Sequence, residues 1–242
     1  LLYCAIVLQN KRDFATIRNP RGQKGMNNME QARFNMIEQQ IRPWDVSDAQ
    51  VLNLLLLVKR ERFVPPGRQA LAFMDMEIPL GFGATMWQPK LEARVLHELH
   101  IKKNERVLEV GTGSGYSTAL LSRLAAQVAS IEIVPELGAQ AAHKLAAFDF
   151  DNIQLEVGDA ATSWGSSKFD VIVLTGSVPV EPRAYLQQLS VGGRLFAIVG
   201  EAPVMRAKIF TRLANDVVES VDLFETNVTP LQNAPQPQRF KF

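Results

Sequence analysis

Val107-Leu108-Glu109-Val110-Gly111-Thr112-Gly113-Ser114-Gly115-Tyr116 is the stretch that decides the fold. A short apolar run passes directly into three alternating glycines and then into a segment with helical spacing. In an open α/β sheet such a turn lies at the carboxyl edge, where ligands bind at the point at which strand order reverses. Glycines allow the sharp turn and let a ligand approach where a Cβ would collide. The spacing discriminates between cofactors. A dinucleotide fingerprint requires its third glycine at 116, which is Tyr116, with the glycine at 115 instead. No Gly-Lys-Ser/Thr follows, so the loop is not a phosphate-binding Walker loop.

Around this loop the chain alternates strands and helices. Strands are predicted at Arg106–Val110, Gln127–Ile133, Ile153–Val157, Phe169–Leu174 and Gly193–Val199, with helices at Tyr116–Ala126, Pro135–Phe148 and Arg183–Leu189. The series implies an α/β fold with a doubly wound, mostly parallel sheet. Weak alternation at Ala207–Leu213 and Val217–Val228 suggests an antiparallel edge. Glu132 closes the second strand, where an acidic side chain binds ribose hydroxyls or simply caps an exposed strand end. Gly158 and Asp159 close the third, to meet an adenine amine or to form a turn. Glu109 either touches ligand or orients the loop amides, and Thr175-Gly176-Ser177 follows the fourth strand.

Upstream, Phe34, Ile37 and Ile41 carry a helical period that Pro43 ends. Ser47 and Asp48 offer an N-cap to a second helix bearing Val51, Leu52, Leu55 and Leu56. Residues 68–87 read as extended loop, and Pro89 opens a helix through Leu99. The Pro- and Gln-rich stretch from Asn233 to Gln238 is predicted to be loose.

Composition removes several classes of function. The 242 residues hold 26 basic and 25 acidic side chains, for a net charge of +1, so nothing favours a nucleic-acid protein. The longest uncharged apolar stretches fall well short of the ~20 residues that span a bilayer, so no membrane span is expected. One cysteine, Cys4, and three histidines, His97, His100 and His143, supply neither a disulfide nor a zinc motif, and no metal is expected. A cytoplasmic enzyme or binding domain remains. The first 25 residues stand apart, with Lys11, Arg12, Arg18, Arg21 and Lys24 against Asp13 alone. They are expected to be dispensable, as an over-extended reading frame before Met26 or Met29 or a loose tail, although an Arg-rich, acid-poor leader also resembles a mitochondrial presequence.

The combination of Glu-x-Gly-x-Gly-x-Gly, an acid ending strand two and Gly-Asp ending strand three resembles the class I S-adenosylmethionine-dependent methyltransferases. Within these the chain is similar to the protein-L-isoaspartate O-methyltransferase family. Leu108–Tyr116 matches that family's glycine motif, Phe63-Val64-Pro65 its Phe-Val-Pro segment, Asp75-Met76-Glu77-Ile78-Pro79 its Asp-x-x-x-Pro, and Gly83–Pro89 its Gly-x-Thr-x-Ser-Gln-Pro loop. The likeness spans residues 29–231, ending in Val228-Thr229-Pro230-Leu231.

The resemblance implies S-adenosyl-L-methionine as cofactor, held by Glu109, Gly111, Thr112, Gly113, Gly115, Glu132, Gly158 and Asp159. It implies protein or peptide substrates bearing isoaspartyl residues, with Thr85 and position 87 at the catalytic centre. Position 87 departs from the family: Trp87 stands where the family has an active-site serine. An indole beside the reaction centre would slow isoaspartyl methylation, and Trp87→Ser would partly restore it. A different methyl acceptor, or a cofactor-binding module without catalysis, are the alternatives. The expected organisation is a leader over 1–28, a helical annex over 29–102 contributing to the active site, a cofactor-binding α/β domain over 103–232 and a loose tail over 233–242.

Overall fold

The computed structural model describes residues 28–148 and 150–237; the basic leader lies outside them. Helix α1 (Asn28–Met36) runs into a π-helical turn at Ile37–Ile41 and a 3-10 turn at Arg42–Trp44, and the chain then reverses at Asp45, whose φ is 57°. Asp48 caps α2 (Ala49–Leu57) by accepting the Gln50 amide at 2.7 Å. A hairpin, β1 (Ile78–Gly81) and β2 (Ala84–Met86), follows, and Pro89 opens α3 (Pro89–Leu99).

The α/β domain then supplies β3 (Arg106–Val110), α4 (Tyr116–Leu124), β4 (Gln127–Glu132), α5 (Pro135–Leu145) and β5 (Ile153–Val157). It continues with β6 (Phe169–Val178), α6 (Arg183–Gln188), β7 (Leu189–Glu201), β8 (Val204–Ala214) and β9 (Val217–Thr226). The seven-stranded sheet has the order β5-β4-β3-β6-β7-β8-β9. Pairs from β5 to β7 are parallel, whereas β7–β8 and β8–β9 are antiparallel. The expected doubly wound sheet with an antiparallel edge is therefore present. Order reverses between β4 and β6, on either side of β3, which places the glycine loop at the switch point.

Alternation along the strands splits the core. Val107, Val171, Val173, Phe196 and Ile198 pack with α2, α3, α4 and the annex residue Phe63. Leu108, Ile172, Leu174, Leu195 and Ala197 pack with Tyr185 of α6 and Phe210 of β8. Both faces of the parallel strands are covered, which is why those strands read as near-continuous apolar runs.

Two expectations are corrected. Residues 68–87 are not a plain loop, because Ile78↔Met86 and Pro79↔Thr85 pair across the β1–β2 hairpin. The fourth parallel strand continues past Leu174 to Val178, since Ser177 pairs with the chain near Pro230: its amide donates to the Thr229 carbonyl at 3.2 Å and its carbonyl accepts from Leu231 at 2.9 Å. In the stretch predicted to be loose, Ala234 is buried against the α6 side of the sheet and the exposed Asn233 donates from Nδ2 to Asp159 at 2.8 Å, while Pro235 and Gln236 are exposed.

Candidate active site

The cleft at the switch point is lined by Gly111 and Gly113 of the loop, Glu132 at the end of β4 and Ile133 just after it, and Thr175 and Gly176 within β6. Two outer rims close over it: Gly83–Thr85 of the hairpin and Thr229–Gln232 of the strand-like strap that pairs with Ser177. The rims touch at two points. Thr85 Oγ1 lies 3.2 Å from Thr229 Oγ1, and Gln232 Nε2 donates to the Phe82 carbonyl at 3.1 Å.

The loop's geometry follows from its residue types. Gly111 has φ 97°, and a Cβ there would come within 2.3 Å of Thr175 Oγ1. That hydroxyl cannot easily move, because it donates to the carbonyls of Val110, at 2.8 Å, and Gly111. Glu132 supports the loop from the neighbouring strand. Its two carboxylate oxygens accept the amides of Gly113 at 2.7 Å and Val134 at 3.1 Å. A carboxylate held by two amides at the mouth of a glycine-lined cleft is an acceptor pair for vicinal hydroxyls, the chemistry that a ribose requires. Gly83, Gly111, Gly113 and Gly176 leave the walls free of side chains. The residues present therefore fit an adenosyl cofactor.

Other residues named from sequence take different places. Glu109 is fully buried beneath the loop and does not line the cleft. It accepts from Ser130 Oγ at 2.6 Å and from Thr118 Oγ1, and burial raises its carboxyl to about 7 against those two hydrogen bonds. Thr112 joins the same buried cluster through Ser130, at 2.6 Å. Gly115 faces α5, where a Cβ would press on Ala141 at 3.2 Å. Glu109, Thr112 and Gly115 thus hold the loop from behind. Gly158 lies flat against Trp164 and donates its amide to the Glu132 carbonyl at 2.9 Å. Asp159 accepts the Ala161 amide at 2.9 Å and Asn233 at 2.8 Å. Neither Gly158 nor Asp159 is part of the cleft lining. His97, in the last turn of α3, and His100, just past its end, meet edge to face, and among the described residues no group of His, Cys, Asp and Glu is placed to hold a metal.

Trp87 is the principal correction. Its side chain is 5% exposed and packs edge-on against Phe196 of β7, with ring centroids 6.2 Å apart, inside the annex-side core. Its carbonyl is held by Arg60, which also donates to the Ala72 carbonyl at 2.9 Å, pairs with Glu92 and lies over the Tyr116 ring. The indole is a core group, and of the motif Thr85-Met86-Trp87 only Thr85 lines the cleft. Sequence reading had no residue for the outer rim beyond the motif itself: Thr175, Gly176, Thr229 and Gln232 reach the cleft through pairings far apart in the chain. The Thr175-Gly176-Ser177 turn after the fourth strand and the Val228-Thr229-Pro230-Leu231 motif were their local signals.

Comparison with known proteins agrees with this geometry. The family profile described as protein-L-isoaspartate(D-aspartate) O-methyltransferase (PCMT) matches residues 31–235. Protein-L-isoaspartate O-methyltransferase 1 of Anaeromyxobacter sp. (strain Fw109-5) is 43% identical over 192 residues, which cover 78% of this chain and 91% of that protein. The protein-L-isoaspartate O-methyltransferase of Picosynechococcus sp. is 36% identical over 201 residues, 83% and 90% of the two chains. A Plasmodium falciparum structure described as a protein-L-isoaspartate O-methyltransferase in complex with S-adenosyl-L-homocysteine superposes with TM-score 0.72 at 20% identity, covering 86% of this chain and 99% of its own, a likeness of fold. Motifs, sheet order and relatives converge, and the chain belongs to the protein-L-isoaspartate(D-aspartate) O-methyltransferase family.

Proposed function

We propose that the protein is an S-adenosyl-L-methionine-dependent O-methyltransferase that esterifies the free carboxylate of isoaspartyl residues in damaged proteins or peptides. The carrying observation is the meeting of Gly111, Gly113 and Glu132 with Thr85 across one cleft at the switch point of the sheet. In this reading the annex, 29–102, supplies the acceptor side and the α/β domain, 103–232, the cofactor side. No helix among the described residues is long and apolar enough to cross a membrane, and the proposed site of action is the cytoplasm.

The cofactor supplies an electrophilic methyl group on a sulfonium. An isoaspartyl carboxylate is already ionised at pH 7. The protein therefore needs no base, and its task is to hold the reacting groups in line and keep water out, which supplies roughly 7–11 kcal/mol in well-oriented systems. Glu132 holds the ribose diol, and Gly111 and Gly113 give the methionine end its room. Thr85 presents a hydroxyl to the acceptor side.

Glu132→Ala removes the diol acceptor and the brace on the Gly113 amide together. A lost hydrogen bond to a charged group costs about 1.5–3 kcal/mol. Calorimetry of S-adenosyl-L-methionine binding should show affinity reduced at least tenfold with the melting profile still cooperative; unchanged affinity removes the ribose assignment. Methyl transfer to an isoaspartyl peptide tests the activity itself.

A further inference from the structure

Glu109 stands behind the cofactor loop without a counterion. It is 0% exposed, and both of its donors, Ser130 Oγ at 2.6 Å and Thr118 Oγ1, reach the same oxygen, Oε2. Oε1 is shielded and has no hydrogen-bond partner among the described residues. The groups that face the carboxyl do not offset a negative charge. Glu132 approaches from β4 and Glu92 from α3; both are acids, and Glu92 already has Arg60 as its own partner. On α4, Tyr116 lies toward Glu92 and Arg60, and burial keeps its hydroxyl protonated. On β6 the residue paired with Glu109 is Val173.

An ionised carboxylate is costly in such surroundings, and a neutral carboxyl much less so. Protonated at Oε2, Glu109 donates to Ser130, whose hydroxyl turns to Thr112 Oγ1, 2.6 Å away. Ionised, it accepts from Ser130 again. The chain Glu109–Ser130–Thr112 therefore has two arrangements, and its far end belongs to the glycine loop. Burial acts in the same sense, raising the carboxyl to about 7.

The cleft is close by. Only Val110 separates Glu109 from Gly111, which lines the cleft. Their Cα atoms are at most about 7 Å apart, inside the screening length of physiological salt. S-adenosyl-L-methionine has a positively charged sulfonium, whereas S-adenosyl-L-homocysteine, left after transfer, has a neutral sulfur. Their other charges are the same.

Building on the cofactor reading of this cleft, we infer that Glu109 tells cofactor from product: it is neutral in the free protein, releases its proton to solvent when the sulfonium is seated, and takes one back once methyl transfer has discharged the sulfur. It acts by charge across the loop and not by contact with the ligand. The cofactor is thus held by an attraction that lasts only while the methyl group is in place. Glu109 is here a discriminating residue and not a catalytic one.

At low pH seating the sulfonium has to displace a proton from Glu109. Affinity for S-adenosyl-L-methionine therefore rises with pH and levels off above about pH 8, whereas affinity for S-adenosyl-L-homocysteine lacks this component. The test is calorimetry of the full chain with each ligand, in buffers of different ionisation enthalpy. At neutral pH the cofactor should release a few tenths of a proton more than the product does. Preference for cofactor over product should grow roughly five- to tenfold from about pH 6 to about pH 8. Glu109→Gln, which imitates the neutral carboxyl, should show no excess release and should keep the parent's low-pH preference at every pH. Infrared difference spectra of the parent should show a protonated carboxyl that disappears with the cofactor and persists with the product, a readout independent of whether the variant folds. Equal proton release with both ligands, a preference independent of pH, or the same pH dependence in Glu109→Gln overturns the inference. Excess proton release by a protein that transfers no methyl group to isoaspartyl peptides would refute the proposed activity and leave the Glu109 assignment standing.

Discussion

Trp87→Ser is expected to unfold at a markedly lower temperature than the parent and to gain no activity. The indole is buried against Phe196, and its deletion leaves a hole in the annex-side core. Truncating a buried aromatic residue costs about 3–5 kcal/mol, because neighbours collapse only in part. For a chain of this size that lowers the melting temperature by roughly 10 °C or more. A serine hydroxyl in the vacated space adds an unsatisfied polar group. Thermal unfolding of the parent, Trp87→Phe and Trp87→Ser should rank in that order, and cofactor affinity measured well below the transition should stay within a few-fold of the parent. A Trp87→Ser protein as stable as its parent and faster in methyl transfer would place the indole at the reaction centre.

Arg60→Met should be at least as severe. The guanidinium is 1% exposed and is the donor for two carbonyls, those of Ala72 and Trp87, as well as the partner of Glu92. Removing one member of a buried ion pair costs about 3–5 kcal/mol, because the other charge is left without compensation. Burial already raises the Glu92 carboxyl to about 8 against the pull of Arg60. A carboxyl whose folded pKa exceeds its unfolded value of 4.5 takes up a proton on folding between those two values, so it stabilises the fold least at high pH. Losing Arg60 widens that window upward. Urea unfolding of Arg60→Met should therefore show a deficit that is level below about pH 8 and grows above it. Arg60→Met with Glu92→Leu should recover part of the loss and flatten the dependence. A single variant within 1 kcal/mol of the parent at pH 8 would mean that the pair contributes little to the seam between annex and sheet.

The α/β domain was legible because its strands are buried on both faces. Val107–Val110 and Phe169–Leu174 are largely apolar runs that end in glycine or polar turns, and α5 opens on Pro135 in its first turn. The β1–β2 hairpin was not legible. Its strands have four and three residues, Pro79 interrupts one of them, and Ile78 and Met86 are its only fully buried residues. The strap was legible as a motif but not as a wall of the site, since its place depends on Ser177 pairing some fifty residues away.

The same difference runs through the site residues. Glu132, Gly111 and Gly113 were legible because strand ends fix where such residues point. A motif gives the position of residue 87 but not the facing of its side chain. That facing is set by Phe196 and by Arg60, which anchors the Trp87 carbonyl from 27 positions upstream. Asp159 is a similar case: a turn residue and an adenine contact look alike in sequence, and in the structure Oδ1 accepts the Ala161 amide while Oδ2 accepts from Asn233.

The central claim is that this chain transfers a methyl group from S-adenosyl-L-methionine to an isoaspartyl carboxylate while Trp87 sits in the core. One measurement addresses it directly: the parent protein is incubated with methyl-labelled cofactor and either an isoaspartyl peptide or the same peptide with ordinary aspartate. Label that enters the isoaspartyl peptide alone, and leaves as methanol in mild base as a methyl ester does, is the predicted result. Cofactor binding with no label in the isoaspartyl peptide, or equal label in both peptides, would contradict it.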